Sequence, residues 1–290
     1  MLTREKLIVA LTVFAASANA SSVYVVNLSQ QFGAVDLSSG AFRQIGPKAP
    51  ELVGGLVPAP NGSLFTLGSS GNLYSINPPT GITTLVGPTG LANCATPASP
   101  CGPTSANTIG AVGGTIFATD FHNNLYRVNA GTGAATLIGP TGMQAVPFVP
   151  FTTNPDGSVN LFDSTLLGVG GKLYATFDAF TVNPTSGKVV TVVIPADLYQ
   201  ISPSTGVATL IAPTALNLGA LADVNGIIYA LNDGTSQVVT FDLMNGSTSF
   251  VTNFAGGPFF GASAVPEPAS LALSILGITA VLVSRRRTRH

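Results

Sequence analysis

A five-residue frame recurs five times along this chain and restricts its fold more than any other feature. The copies are Asp36-Leu-Ser-Ser-Gly40, Asn77-Pro-Pro-Thr-Gly81, Asn129-Ala-Gly-Thr-Gly133, Ser202-Pro-Ser-Thr-Gly206 and Asp242-Leu-Met-Asn-Gly246. Each sets Asp, Asn or Ser four residues ahead of a Gly. The polar side chain accepts a nearby backbone N–H and starts a turn, and Gly supplies the positive φ that closes it. Alternating strands precede the frame, as in Leu73-Tyr74-Ser75-Ile76, Leu125-Tyr126-Arg127-Val128 and Leu198-Tyr199-Gln200-Ile201. Thr-Leu-Val or Thr-Leu-Ile strands follow it at 84–86, 136–138 and 209–211. Three copies then meet Gly46-Pro47, Gly87-Pro88 and Gly139-Pro140, and a fourth meets Ala212-Pro213. Pro has no N–H to give a ladder, so it ends the strand.

A second hairpin signal lies upstream of the frame. Asn61-Gly62, Gly113-Gly114, Gly170-Gly171 and Asn225-Gly226 are two-residue turn sequences. Each precedes a β-rich stretch, at 64–67, 116–119, 173–176 or 228–231, and follows a small-residue strand such as 109–112 or 218–221. The unit therefore has four antiparallel strands, and no helical periodicity appears between them. Gly and Ala in the first strand suit the crowded axis of a ring of sheets. The segment resembles a β-propeller repeat protein, which implies an all-β, five-bladed β-propeller. The frame glycines are 41, 52, 73 and 40 residues apart. A base unit of about 40 residues matches one blade. The excesses mark insertions near residues 91–104, 143–164 and 178–197, all in connections at one end of the ring. The body begins with a strand-two copy at 23–26 and ends with a strand-one copy at 259–262. Pairing them is expected to complete a blade from both chain ends and leave no open sheet edge.

Both ends of the chain read as targeting segments. Residues 1–20 have the parts of a secretory signal: Arg4 and Lys6, an apolar run at 7–16, and Ala18-Asn19-Ala20, with cleavage expected after Ala20. The other end is also tripartite. Val265-Pro266-Glu267-Pro268-Ala269 comes first, an uncharged apolar stretch at 270–283 follows, and Arg285, Arg286, Arg287 and Arg289 lie in the tail. At ~1.5 Å per residue the apolar stretch reaches about 21 Å, short of a ~30 Å hydrocarbon core, which suits transient membrane anchoring. The arginines hold that end on the cytoplasmic side. In order, spacing and position these residues resemble the PEP-CTERM sorting signal of Gram-negative bacteria, with Pro266, Glu267 and Pro268 as the motif. The resemblance implies export through the inner membrane and processing by an exosortase, a membrane transpeptidase-like enzyme. It also implies a place at the cell surface, in the outer envelope or in the extracellular matrix, linked to exopolysaccharide or biofilm, with a surface protein as the other partner class. The regions are then a signal peptide at 1–20, the propeller at 21–264 and the sorting segment at 265–290.

Removing the ends decides the charge argument. Six of the 11 basic residues lie in them, so 21–264 keeps 5 basic and 10 acidic residues, a net charge of −5. An acidic exported body has no electrostatic reason to bind nucleic acid. In that compartment Cys94 and Cys101, in a Pro-rich insertion, are expected to form a disulfide. Asp120, Asp178 and Asp233 each follow strand two at the insertion end, with Asn27 and Asn232 nearby. A ring of such oxygens would bind Ca²⁺, and these three Asp are the candidate metal ligands. The simpler role is that each Asp starts a turn. His122 is the one His of the body; as a general base it would need an oriented partner. Tyr74, Tyr126 and Tyr199 share one repeat position and are expected to pack between blades. No Ser-His-Asp constellation, phosphate-binding loop or dinucleotide fingerprint occurs, so no catalytic residue is assigned. The expected role is a non-enzymatic binding or structural module; the alternative is a metal-dependent hydrolase or lactonase of propeller type using the Asp120, Asp178 and Asp233 face.

Overall fold

The computed structural model describes residues 22–91, 106–120, 122–143, 153–185, 189–214 and 216–265. Among them are five four-stranded antiparallel sheets and no helix. Blade one contains β1 (Ser22–Asn27), β2 (Phe32–Asp36) and β3 (Phe42–Gln44), and blade two β4 (Val53–Pro58), β5 (Leu64–Gly68), β6 (Asn72–Asn77) and β7 (Ile82–Pro88). Blade three contains β8 (Ala106–Val112), β9 (Thr115–Asp120), β10 (Asn124–Val128) and β11 (Ala135–Pro140). Blade four contains β12 (Val159–Val169), β13 (Lys172–Val182), β14 (Val189–Ile201) and β15 (Ala208–Ala212). Blade five contains β16 (Leu218–Val224), β17 (Ile227–Asn232), β18 (Gln237–Phe241) and β19 (Thr248–Asn253). The last strand, β20 (Phe259–Ala264), returns to blade one and pairs antiparallel with β1, Val25 opposite Ala262 and Val26 opposite Gly261. The first strands, in the order β20, β4, β8, β12 and β16, contact one another around a closed ring. This is a five-bladed β-propeller shut by its two chain ends.

The repeated frame folds as its chemistry dictates. In all five copies the Gly N–H donates to the carbonyl of the residue four earlier, at 2.7–2.8 Å, and the Gly φ lies between 68° and 83°. Asp36 Oδ1 accepts the N–H groups of Ser38 and Ser39, and Asn129 Oδ1 those of Gly131 and Thr132. The Gly-Gly and Asn225-Gly226 turns join strands one and two directly. Asn61-Gly62 differs. Pro58 and Pro60 remove ladder donors, so β4 stops early and a wider loop forms, with the Ala59 N–H donating to the Ser63 carbonyl. Blade four differs too: residues 159–164, 178–182 and 189–197 of the expected insertions are strand, because β12, β13 and β14 run on past the ring. Phe180 and Val182 are buried with Val159 against them in this extension.

Apolar seams hold neighbouring blades together, one seam per blade pair. Tyr74 packs with Val26 and Phe32 between blades one and two, and Tyr126 with Val57 and Phe65 between two and three. Tyr199 joins Phe117 and Leu125 between three and four, so the three tyrosines do pack between blades. Leu198 meets Leu218 and Phe241 at the next seam, and Val23, Val25 and Phe259 meet Leu231 and Val238 at the closing one. Fully burying a Val, Leu or Phe contributes roughly 1.5–3 kcal/mol each, so these seams supply most of what holds the ring together.

The axis demands more than apolarity. Four first strands bring a Gly against the next blade, Gly55, Gly110, Gly219 and Gly261, and Gly168 of blade four faces back to the Ala111 carbonyl of blade three. A Cβ on Gly55 would lie 2.6 Å from the backbone N of Ile109, and one on Gly261 would lie 2.7 Å from the backbone of Gly55. A second belt lies further out. Frame glycines Gly133 and Gly206 press on the backbones of Gly87 and Gly139 in the preceding blade, and Gly40 presses on the Asn253 carbonyl. The Ala135, Ala208 and Ala255 N–H groups donate across the same gaps to the carbonyls of Thr89, Thr141 and Gly40. Glycine there removes the side chain that would hold two backbones apart.

Gly261→Ala is therefore expected to destabilise the fold by roughly 1–3 kcal/mol, the range for overpacking a filled core. Gly131 has an ordinary backbone and its nearest neighbour at 3.5 Å, so Gly131→Ala should cost less than about 0.5 kcal/mol. Denaturant unfolding of both variants checks the contrast; equal losses would contradict it.

Candidate functional site

The connections from strand four to the next strand one, and from strand two to strand three, leave one end of the ring. Buried Asn and Asp side chains gather there: Asn27, Asp120, Asn123, Asp178, Asn217 and Asn232. Asp120 ends β9 and is fully buried. Its Oδ1 accepts the N–H groups of His122 and Asn124, and its Oδ2 accepts Asn124 Nδ2 and the Tyr126 hydroxyl. Burial and that hydrogen bond to Asp120 push the Tyr126 phenol up to about 12. His122 is exposed on the same turn and reaches Asp120 through its backbone. Glu51 does the corresponding work in blade two. It accepts the hydroxyls of Ser69 and Tyr74 and both the N–H and hydroxyl of Ser70. Burial first, and then Glu51, raises the Tyr74 pKa.

Asp178 and Asp233 act between blades. Asp178 lies within β13 rather than after it, because the strand continues into the insertion. Its Oδ2 accepts Asn217 Nδ2 at 2.6 Å, joining blade four to the chain entering blade five. Asp233 follows β17, and its Oδ2 accepts the Phe259 N–H at 2.9 Å, fixing the start of the closing strand. The two play equivalent parts: each reaches from the end of one blade's second strand to the entrance of the next blade's first. The structure thus places Asp120 inside blade three, Asp178 on the seam between blades four and five, and Asp233 on the seam between five and one. It does not bring the three together, and among the described residues no three His, Cys, Asp or Glu side chains form a metal-sized cluster. Asn27 sits at the closing seam, donating to Gln31 and to the Gly256 carbonyl. Cys94, Cys101, Pro266, Glu267, Pro268 and the cleavage point after Ala20 lie outside the described residues.

The axis is narrow where Leu56, Ile109, Leu166, Leu221 and Phe260, one from each blade, line a void of ≈ 10 Å³, about the least space that holds one water. The wider depression, ≈ 480 Å³, opens at the opposite end between blades four and five. Tyr174, Ile228, Phe241 and Met244 line it, with Ser247 and Ser249 at its polar side. Sequence reasoning passed over Glu51, Asn217 and this depression. Glu51 and Asn217 stand just ahead of a first strand, as Asp and Asn stand ahead of turns. The depression left no sequence signal, because its residues come from five separate strands and the turns beside them.

No protein-family profile matches the chain, and no curated protein matches it in sequence. Solved structures do. A chain of the nidogen/laminin complex aligns over 85% of this chain and 98% of its own, with 11% identity and a TM-score of 0.49. The dihydro-heme d1 dehydrogenase NirN, solved with DHE, aligns over 82% of this chain and 45% of its own, with 10% identity and a TM-score of 0.35. An inactive virginiamycin B lyase from Staphylococcus aureus, solved with quinupristin, aligns over 80% of this chain and 67% of its own, with 13% identity and a TM-score of 0.35. The three differ in what they bind, and nothing about this chain's ligand follows from them.

Asp233 generates a prediction about pH. As a residue it is half-buried, yet its Oδ1 has no solvent contact and no partner. Burial raises its pKa well above the ordinary aspartate value, against the opposing pull of the Phe259 N–H. The native state then holds a proton that the unfolded chain releases, so stability falls as pH climbs from the usual aspartate range towards the raised value. Asp233→Asn removes the titration. Its melting midpoint should gain on the wild type between pH 4 and pH 7 (about 3 pH units across the window). Parallel midpoints across that window would contradict the assignment.

Proposed function

We propose that this chain is an exported propeller that acts as a non-enzymatic binding or structural module at the cell surface or in the extracellular polysaccharide matrix. The observation that supports the binding reading is the narrow axis, where Leu56, Ile109, Leu166, Leu221 and Phe260 line a void of only ≈ 10 Å³. What the fold offers is a ring with the strands of blade four extended at one end and a shallow depression at the other. Glu51, Asp120, Asp178 and Asp233 are engaged in positioning the chain. The export and sorting part rests on the terminal sequences: the signal at 1–20 and the Pro266-Glu267-Pro268 motif with its apolar stretch and arginines. Exosortase is the processing partner under this reading, and exopolysaccharide or a surface protein is the ligand class. Among the described residues no helix is long and apolar enough to cross a membrane; transient anchoring is assigned to 270–283.

Expressed in a Gram-negative host that carries an exosortase, the chain should lose the residues beyond the Pro-Glu-Pro region. In a host without exosortase, or with Glu267→Ala and both prolines replaced, it should keep them. Intact-mass measurement of the envelope fraction reads this directly; the same mass in both hosts would defeat the sorting proposal. The binding proposal has its own test: retention on exopolysaccharide from the same host, compared with a heat-unfolded sample.

The chain path gives an orientation. β20 runs from the loop end to the hairpin-turn end, and Val265 follows it by one residue. A tail held in the membrane would therefore turn the hairpin end inward and the loop end outward. In a Cys94→Ser/Cys101→Ser background, a Cys at the exposed Thr185 should react with a membrane-impermeant maleimide on spheroplasts faster than one at the exposed Met244. The reverse order would overturn the orientation.

A further inference from the structure

Asn217 and Asn232 each leave a buried amide oxygen without a donor at the loop end. Both are buried, at 3% and 4% exposure, and neither Oδ1 has a hydrogen-bond partner. A buried acceptor without a donor costs roughly 1–3 kcal/mol, and two side by side need a reason. They border one place. Asn217 immediately precedes β16, and its neighbour Leu218 pairs with Asn232 across the ladder. Strand alternation puts Asn232 on the same face as Ile228 and Ala230, which pack at the seam between blades four and five. Gly234 leaves the space between them. A Cβ there would sit 3.2 Å from Asn217 Cβ and 3.3 Å from Asn232 Oδ1. Gly234 is not among the residues with positive φ, so the missing side chain answers to space and not to backbone conformation. Across the seam, the buried Asp178 carboxylate accepts Asn217 Nδ2.

We propose that the seam between blades four and five is a site for a hard, oxygen-seeking cation of the Ca²⁺ type, held by Asn217, Asn232 and Asp178 beside Gly234. The donor set is oxygen alone, amide and carboxylate, which suits Ca²⁺ at 2.3–2.6 Å and gives a soft metal nothing to prefer. A cation satisfies both amide oxygens and sets a positive charge beside Asp178. It would tie blade four to blade five at the entrance of β16, the seam next to the ring closure. The assignment concerns a structural ion and is independent of the sorting reading. Asp120, with all its contacts inside blade three, and Asp233, on the other face of blade five, take no part.

The test is calorimetric titration of CaCl₂ into the purified full chain after EDTA treatment, with thermal melts alongside. Ca²⁺ should bind with a Kd on the order of 0.1–1 mM, the range of extracellular calcium modules. Near saturation it should raise the melting midpoint by roughly 5 °C. Asn217→Ala and Gly234→Ala should abolish both signals, the second by filling the cradle, whereas Asp233→Asn should keep them. If Asn217→Ala fails to fold, Gly234→Ala decides, since its backbone accepts a Cβ. No heat and no midpoint shift at about 10 mM Ca²⁺, an order of magnitude above that range, would overturn the proposal. So would an unchanged response in Gly234→Ala.

Discussion

The pairing of β20 with β1 is the interaction on which the remainder depends. Five twisted sheets arranged around an axis have no hydrophobic interior of their own; their apolar surface is the set of seams between them. A seam exists only when both of its blades are in place. The closing strand supplies the last one, putting Val23, Val25 and Phe259 against Leu231 and Val238. Without it, blade one would lack its innermost strand, blade five would expose one face to water, and β1 would present an open edge. Asp233 shows how much the fold invests at this point. A buried carboxyl is a costly group to place, and here it is spent on the first N–H of the closing strand.

Glycine sets the ring's dimensions from both sides. At the axis Gly55, Gly110, Gly168, Gly219 and Gly261 let first strands touch backbone to backbone. Further out, the frame glycines press on the chain leaving the preceding blade, and Ala135, Ala208 and Ala255 add hydrogen bonds across those gaps. Two belts of contact at different radii fix each blade's tilt as well as its distance. That rigidity explains how the chain tolerates its insertions. Blade four carries strands of 11, 11 and 13 residues, yet its inner part keeps the register of the shorter blades because the belts hold it.

The sequence made the repeat legible because its chemistry is local. Asp36 and Gly40 specify their own turn within five residues, and so do the other four frames; nothing distant is required. Strand ends at Pro88 and Pro140 were legible for the same reason. The closure was legible by counting, since the body starts at a second strand with Val23 and ends on an extra first strand at Ala264. What escaped was non-local. Gly87 and Gly139 read as the residues before a strand-ending Pro, although their use is to admit Thr132 and Thr205 of the next blade. Residues 178–197 read as an insertion between strands, although Val189-Val190-Thr191-Val192-Val193 carries the β-branched composition of a strand. The three Asp residues looked alike because each lies near the end of a second strand. Their partners, Tyr126, Asn217 and Phe259, lie at three different sequence separations, and only the folded ring tells them apart.

The most direct test of the account is a cross-link between the chain ends. Tyr24 and Ser263 stand opposite each other in the β1–β20 ladder, close enough for paired cysteines to bridge. In a background with Cys94 and Cys101 replaced by Ser, Tyr24→Cys/Ser263→Cys should oxidise to one intramolecular disulfide in the folded protein and raise its melting midpoint. Free thiols that persist under mild oxidation of the folded chain, or disulfides only between molecules, would show that the ring is not closed this way.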